Sequence, residues 1–401
     1  MYKIGYYRIF VIASIISLSI SYAGVWFRLI NNPIERTGSD FIAFYTAGRV
    51  AQEKGASRVY DIALQRQMEE EQVGFTLAPE QVLQYNHMPF LILVLQQIVT
   101  ADYVGSFVRW ALLMALFQAA AVILLGRMLK RARIKPSSVR IARVGGMLFL
   151  PAFFSLMNGQ DTGILLLGAA IWTYGLLTDS EWIAGLGLSL TVVRPHIALV
   201  LAAPMLFKHT KVFLAFAAGS GALAIFSFAL LGLQGAQQFI HVILVSASGD
   251  WYGIKQNVMF NLIGLAMRIF PHLDANTIRT AGWIIYGASI AALTNAWRRS
   301  GKQTDTLIGL TVSWAVLIVP HLHFHDLALM IVPIFILVRC APTGRLTELH
   351  AAILPFGISF LLLASNITPL LQFTVPYLVV SWFIARFWSI RFTFERQAIG
   401  R

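Results

Sequence analysis

From Ile9 to Phe27 the chain runs nineteen residues without a charged side chain, and apolar stretches of similar character recur as far as Trp388. About 20 such residues, rising 1.5 Å each in a helix, cross the hydrocarbon core of a bilayer, where backbone polar groups must pair within the segment itself. This commits the chain to membrane-embedded helices. Only 12% of residues are charged, against roughly 25% in ordinary soluble domains, and the mean hydropathy is +0.69. Both a soluble globule and a disordered chain are thereby excluded. The first run follows Lys3 and Arg8, is too long for the core of a signal peptide and has no small-residue cleavage pattern. It reads as an uncleaved first span.

Twelve spans are expected, at about 9–30, 103–126, 144–157, 162–178, 182–193, 196–207, 212–232, 279–297, 304–320, 327–340, 349–365 and 370–388. The fold class is then an all-α polytopic membrane protein, one integral membrane domain over residues 1–401. Residues 182–193 and 196–207 also suit a single helix broken near Pro195. The run 86–99 is left as a re-entrant or interfacial helix. A thirteenth span there would carry the basic loop 127–143, with Arg127, Lys130, Arg131, Arg133, Lys135, Arg140 and Arg143, to the outside against the positive-inside rule.

With both termini cytoplasmic, 20 Lys and Arg fall in inner segments and 8 in outer ones, while 13 acids lie outside and 5 inside. The formal charge of +13 is thus a topology signal rather than a surface for nucleic acid, and 127–143 meets the anionic lipids of the inner leaflet. The expected location is the plasma (inner) membrane. The first outer loop, 31–102, carries amphipathic stretches at 41–54 and 61–73 that suit helices lying on the membrane surface, and 233–278 forms a second outer loop. No internal repeat is evident.

Polar residues at the edge of an apolar bundle are costly, so their placement is informative. Asp40 follows the first span in Ser39-Asp40-Phe41-Ile42-Ala43-Phe44-Tyr45. Two readings are open for it: an N-cap for 41–54, or a partly desolvated carboxylate acting as general base beside aromatic neighbours such as Tyr45. In His321-Leu322-His323-Phe324-His325-Asp326 the alternation puts three imidazoles on one side of an extended segment. His321, His323 and His325 suit phosphate contact, capping or a metal, and no second ligand cluster has zinc-like spacing. Asp326 is placed to orient one of the rings.

Arg194, before Pro195 at a helix break, needs a partner: an anionic head group, or an ion pair with Asp161 or Asp326. The short turns Asn158-Gly159-Gln160-Asp161 and Arg194-Pro195-His196 add Gln160 and His196 to the polar set. Lys255, Asn257 and Arg268 in the second outer loop are further substrate-side candidates, the asparagine serving turn chemistry equally well. Cys340 is the one cysteine, so no disulfide framework or thiolate metal site is available. Neither GxxxxGK[ST] nor GxGxxG after a strand occurs, so nucleotide hydrolysis and cytosolic sugar nucleotides are not expected.

The order and spacing of Ser39 to Gly48, Val59-Tyr60-Asp61, Tyr85-Asn86-His87-Met88-Pro89-Phe90, Asn158-Gly159-Gln160, Val193-Arg194-Pro195, Lys255-Gln256-Asn257 and the histidine segment resemble glycosyltransferase family 87. These are polytopic GT-C-type glycosyltransferases that include polyprenyl-phosphate-mannose-dependent mannosyltransferases. The resemblance implies a GT-C-type bundle and a lipid-linked sugar donor, with Asp40 at the position of the base that deprotonates the acceptor. It places Arg194 and the histidines at 321–325 near the donor phosphate. Two departures stand out: Met88-Pro89 where the family often has two prolines, and Arg194 where it commonly has Lys. The expected partners are a polyprenyl-phosphate sugar, a glycolipid or polysaccharide acceptor and membrane lipids. No cofactor or divalent metal is expected. A transporter or flippase is the competing class, but it would place ionisable residues along a mid-membrane path, whereas here they gather at one face.

Overall fold

The computed structural model describes residues 6–248, 256–364 and 376–388, apart from 33, 34, 36, 38, 302 and 343. It is all-helical: 83% helix, with no strand among the described residues. Five stretches are long and apolar enough to cross a bilayer: Tyr6–Asn31, Tyr103–Arg131, Pro136–Met157, Thr210–Ser246 and Arg345–Ala364. These five are what length and composition select among the described residues, and the expected twelve spans are not confirmed by them; several of the other apolar helices have only 10–17 residues. We label the helices α1 (Tyr6–Asn31), α2 (Phe41–Lys54), α3 (Ile62–Val73), α4 (Ile92–Ile98), α5 (Tyr103–Arg131), α6 (Pro136–Met147) and α7 (Leu150–Met157). Then come α8 (Thr162–Leu177), α9 (Glu181–Ser189), α10 (Pro195–Ala202), α11 (Met205–Lys208) and α12 (Thr210–Ser248). The last are α13 (Leu262–Ile269), α14 (Ala275–Arg299), α15 (Thr304–Ile318), α16 (Ile331–Cys340), α17 (Arg345–Ala364) and a helix over 376–388, α18.

Length sorts with depth. Eleven of the sixteen residues of α8 and twelve of the fifteen of α15 are buried, against five of 26 in α1, so short helices form the centre and long ones the periphery. Along the peripheral helices Ile12, Ile16, Leu116, Ile225, Phe228 and Ile284 are all more than half exposed, the apolar surface a lipid environment requires. Lipid leaves little hydrophobic drive for helices to associate, and close packing through small residues takes its place. A Cβ on Gly163 would sit 2.6 Å from the Met114 carbonyl of α5, and one on Gly185 would run into the Val212 carbonyl of α12.

A second, smaller apolar cluster forms around α2. Phe41, Phe44, Tyr45, Ala47 and Val50 are buried against Tyr85, Ile92, Leu95, Tyr103, Phe107 and Trp110. The stretch 41–54 therefore lies inside the protein rather than on a membrane surface. The run 86–99 forms a 3₁₀ turn at Pro89–Leu91 and the seven-residue α4, too short to cross a bilayer. Helix α12 continues to Ser248 through a kink at Gly232, so the first part of the expected loop 233–278 is helical. Residues 182–193 and 196–207 are separate helices that meet at Arg194.

Contacts between the turns establish that the helices alternate. At one end Lys208 Nζ donates to Ser300 O (2.5 Å), Arg339 pairs with Asp305 (2.8 Å), Lys135 pairs with Glu348 (2.5 Å) and Arg386 donates to Thr306 (3.2 Å). The turns at 158–161, 193–195 and 319–326 lie at the opposite end. Gly185→Val is expected to destabilise the helix centre by about 3 kcal/mol or more through overpacking, seen as a lower thermal midpoint in detergent. Gly221→Ala, where no atom lies within 4 Å of the added carbon, is expected to leave the midpoint unchanged or raise it.

Candidate active site

Three turns bring the polar residues together, and the local sequence explains each. Helix α7 ends at Met157, and Gly159 turns the chain at φ +67°, where its N–H reaches Leu156 O (3.1 Å) and Gln160 N–H reaches Ser155 O (2.9 Å). A side chain is barred there twice over, by the left-handed backbone and because a Cβ would come 2.5 Å from Phe41 Cβ. That close approach sets Gln160 beside Asp40. Arg194 precedes Pro195 and is non-helical (φ −128°, ψ 83°), as the proline demands, which ends the 3₁₀ turn Leu190–Val193 and starts α10. The histidine segment is held from outside by Asn261 Nδ2 on Val319 O (2.8 Å) and Phe260 N–H on Leu322 O (3.0 Å).

A fourth wall comes from the first loop. The Gln65 amide oxygen takes the Tyr85 N–H (2.8 Å), a Glu69 oxygen takes the Leu83 N–H (3.1 Å), and the Tyr60 hydroxyl donates to His87 O (2.5 Å). These pins hold 82–88 extended and aim His87 at Asp161. Glu69 is buried, and burial pushes its carboxyl up to about 8.

At the meeting point sits a buried ion cluster. Arg194 Nη1 lies 2.9 Å from Asp161 Oδ1, as an ion pair off the hydrogen-bond axis, and Nε bonds Asp326 Oδ1 at 3.4 Å. Asp161 and Asp326 are 0% exposed and Arg194 8%. His87 Nδ1 lies 3.0 Å from Asp161 Oδ2 and 3.1 Å from Arg194 Nη1. With a carboxylate and a donor-only guanidinium as neighbours, the tautomer carrying hydrogen on Nδ1 donates to Asp161. Burial alone would raise both carboxyls. For Asp161 the charges of Arg194 and His87 outweigh it, and for Asp326 those of His325, Arg194 and His323 do, so both are held below the usual carboxylate range. Removing one member of such a cluster strands a buried charge, at a cost of about 3–5 kcal/mol.

The cluster forms one side of a cavity of about 710 Å³. Asp40, Gln160, Arg194, His196, His321, His323, His325 and Asp326 line it, with His87 beside them. Asp40 begins α2 but makes no capping bond; its Oδ2 instead accepts from Gln160 Nε2 at 2.7 Å. The three histidines follow one another along the wall, His321 edge-on to His323 and His323 tilted against His325, with ring centroids 4.7 Å and 5.7 Å apart. Arg194 pairs with both candidate acids rather than one. The far side of the cavity is apolar: Leu199, Ile243, Val258, Ile263, Trp283 and Tyr286, with Arg279 at its edge.

Other expected residues stand elsewhere. Tyr45 is buried against Tyr103, accepts a bond from Arg49 and does not line the cavity. Arg268 donates to the Asn257 carbonyl (2.5 Å) and lies over the Phe260 ring, and neither it nor exposed Asn257 lines the cavity. Lys255 lies outside the described residues. His87 and Arg279 reach the cavity without having been singled out from sequence; the Tyr85 to Phe90 motif was the available signal for the first. Among the described residues no group of three or more His, Cys, Asp or Glu is arranged to hold a metal ion.

Membrane-length helices around a charge-bearing cavity at one end of the bundle define the class as a polytopic membrane protein with an active-site-like chamber. The model of glycosyltransferase family 87 matches residues 85–320, more than half of the chain, and the chain belongs to that family. It is therefore a membrane glycosyltransferase. The matched stretch holds His87, Gln160, Asp161 and Arg194, while Asp40 precedes it and His321 to Asp326 follow it. A search of curated proteins finds no match to this chain.

Burial lowers the His325 imidazole to about 4, and moves His321 and His323 the same way. His321 is moved well below its ordinary value, and His325, 5% exposed, is moved with it. A histidine near 6.5 when unfolded and near 4 when folded binds more protons unfolded between those values, so stability falls as pH drops through that window. Asp161 and Asp326 stay ionised throughout it. Stability is expected to fall from pH 6.5 towards 4, by up to about 1.4 kcal/mol per pH unit per histidine, read as a falling thermal midpoint, and to fall less steeply in His325→Gln.

Proposed function

We propose that the enzyme transfers a sugar, mannose by the family resemblance, from a polyprenyl phosphate to an acceptor hydroxyl on a glycolipid or polysaccharide at the outer face of the plasma membrane. The observation that carries this reading is a carboxylate, Asp40, on the wall of a cavity polar on one side and apolar on the other. A head group with a lipid tail matches both sides. In this mechanism the acceptor oxygen attacks the anomeric carbon as Asp40 takes its proton. The bond from that carbon to the phosphate oxygen breaks on the opposite side, the electron pair leaves with the polyprenyl phosphate, and configuration inverts.

Arg194 and the histidines at 321, 323 and 325 supply N–H donors toward the leaving phosphate. Asp326, Val193 O and Gln160 take guanidinium N–H groups and Asp161 holds the charge, so its share in that contact is small and the histidines carry more of it. Asp40→Asn is expected to remain folded and membrane-inserted yet lose about 10²–10⁴-fold in transfer from polyprenyl phosphate mannose in a reconstituted assay. Near-normal transfer would remove Asp40 as the base.

The orientation follows from charge. Arg127 to Arg143, Lys208, Lys211, Arg298, Arg299 and Arg339 gather at the end away from the cavity, which supports a cytoplasmic basic end and an outer site. In a Cys340→Ser background a cysteine at Leu273, an exposed site-end position, is expected to react with an impermeant maleimide added outside intact cells. One at Lys130 is expected to react only after lysis, and the reverse pattern overturns the orientation.

A further inference from the structure

Gln160 joins the ion cluster to the cavity wall. Its Oε1 accepts from Arg194 Nη2 at 3.0 Å, and its Nε2 donates to Asp40 Oδ2 at 2.7 Å. A guanidinium has donors only, so the amide oxygen must face Arg194 and the NH₂ must face Asp40; the flipped amide would oppose donor to donor and oxygen to carboxylate. Asp161 and Asp326 hold Arg194, and the tight turn at Gly159 against Phe41 holds Gln160, which is 5% exposed. An NH₂ group can only donate, so the Asp40 oxygen it grips must be accepting. Oδ2 is committed to Gln160, and Oδ1 is the oxygen left for the cavity.

We propose that Gln160 is a positioning residue for sugar transfer: it fixes the Asp40 carboxylate by its Oδ2 and turns Oδ1 toward the reacting hydroxyl, and Arg194 acts on Asp40 through it. This rests on the reading of Asp40 as the base. The other charged or titratable groups around Asp40 are His323 and His325 across the cavity, and Arg194, Asp161 and Asp326 behind Gln160. Arg49, the first charged side chain along α2, is engaged with Glu53. The role differs from phosphate contact, because it passes through an amide to a carboxylate.

Two readouts on the reconstituted, full-length protein test this: the pH–rate profile with polyprenyl phosphate mannose, and the pH midpoint of carbodiimide labelling at Asp40 followed by mass spectrometry. In Gln160→Leu both the acid limb of the rate and the labelling midpoint are expected to move up by about one pH unit, the loss of one hydrogen bond to a charged group. Gln160→Glu keeps the shape and an acceptor for Arg194 but sets a second carboxylate beside Asp40, so it should move both further. It decides the matter if the leucine variant fails to fold. A uniform loss of rate with both midpoints unmoved overturns the proposal and leaves Gln160 a packing residue. A labelling shift without a shift in rate overturns Asp40 as the base, and with it the part of Gln160 in the reaction, while its grip on the carboxylate stands.

Discussion

A guanidinium buried between two carboxylates is the constraint on which the site depends. Arg194, Asp161 and Asp326 come from three separate turns, and none of the three is tolerable in a low-dielectric interior without the others. Their meeting fixes the ends of α7, α8, α9, α10 and α15 in one place and thereby sets the register of the central helices. Those helices are short, and lipid-like packing through glycines gives little directional preference of its own. A charge cluster that fails when any turn is displaced supplies what apolar packing lacks, one arrangement of the helix ends.

The cavity inherits its two-sided character from the same geometry. One wall is the end of the central bundle, where charges must collect because they cannot sit deeper. The opposite wall is built from α10, α12, α13 and α14 and carries the apolar Leu199, Ile243, Ile263 and Trp283. The first-loop lobe closes the remaining side through 82–88, pinned by Gln65, Glu69 and Tyr60. A polar head and an apolar chain are thus accommodated by different structural layers, and each layer is built from what its own position in the bundle permits.

The helices were largely legible in the apolar runs, because a period of apolar side chains is a local property. Their ends and surroundings were less so. Gln234, Gly235, Gln237 and Gln238 read as a loop, yet the helix runs on because Leu231 and Val242 bury against the first-loop lobe and Gly235 admits the Ser57 backbone. The stretch 41–54 has the pattern of a surface helix, and only its burial against α4 and α5 shows otherwise. Within the site, Asp40, Arg194, Asp326 and the histidines announced themselves as polar residues in apolar surroundings. His87 did not, since its carboxylate partner lies 74 residues away, and no local pattern carries a contact of that range.

Charge accounting gives the site its chemical character. Arg194 and Arg279 contribute two positive charges, Asp161 and Asp326 two negative ones, and burial keeps His325 neutral at ordinary pH. The chamber is therefore balanced before Asp40 is counted and negative with it, an unexpected setting for a phosphate if cationic attraction were the means of holding it. Neutral imidazoles change that conclusion. Each offers an N–H dipole to an anion without adding charge, and each gains a proton more readily once an anion stands beside it. The carboxylates thus serve two ends. They make a buried arginine affordable, and they leave the histidines as the groups whose protonation state is free to follow the charge on an entering or departing phosphate.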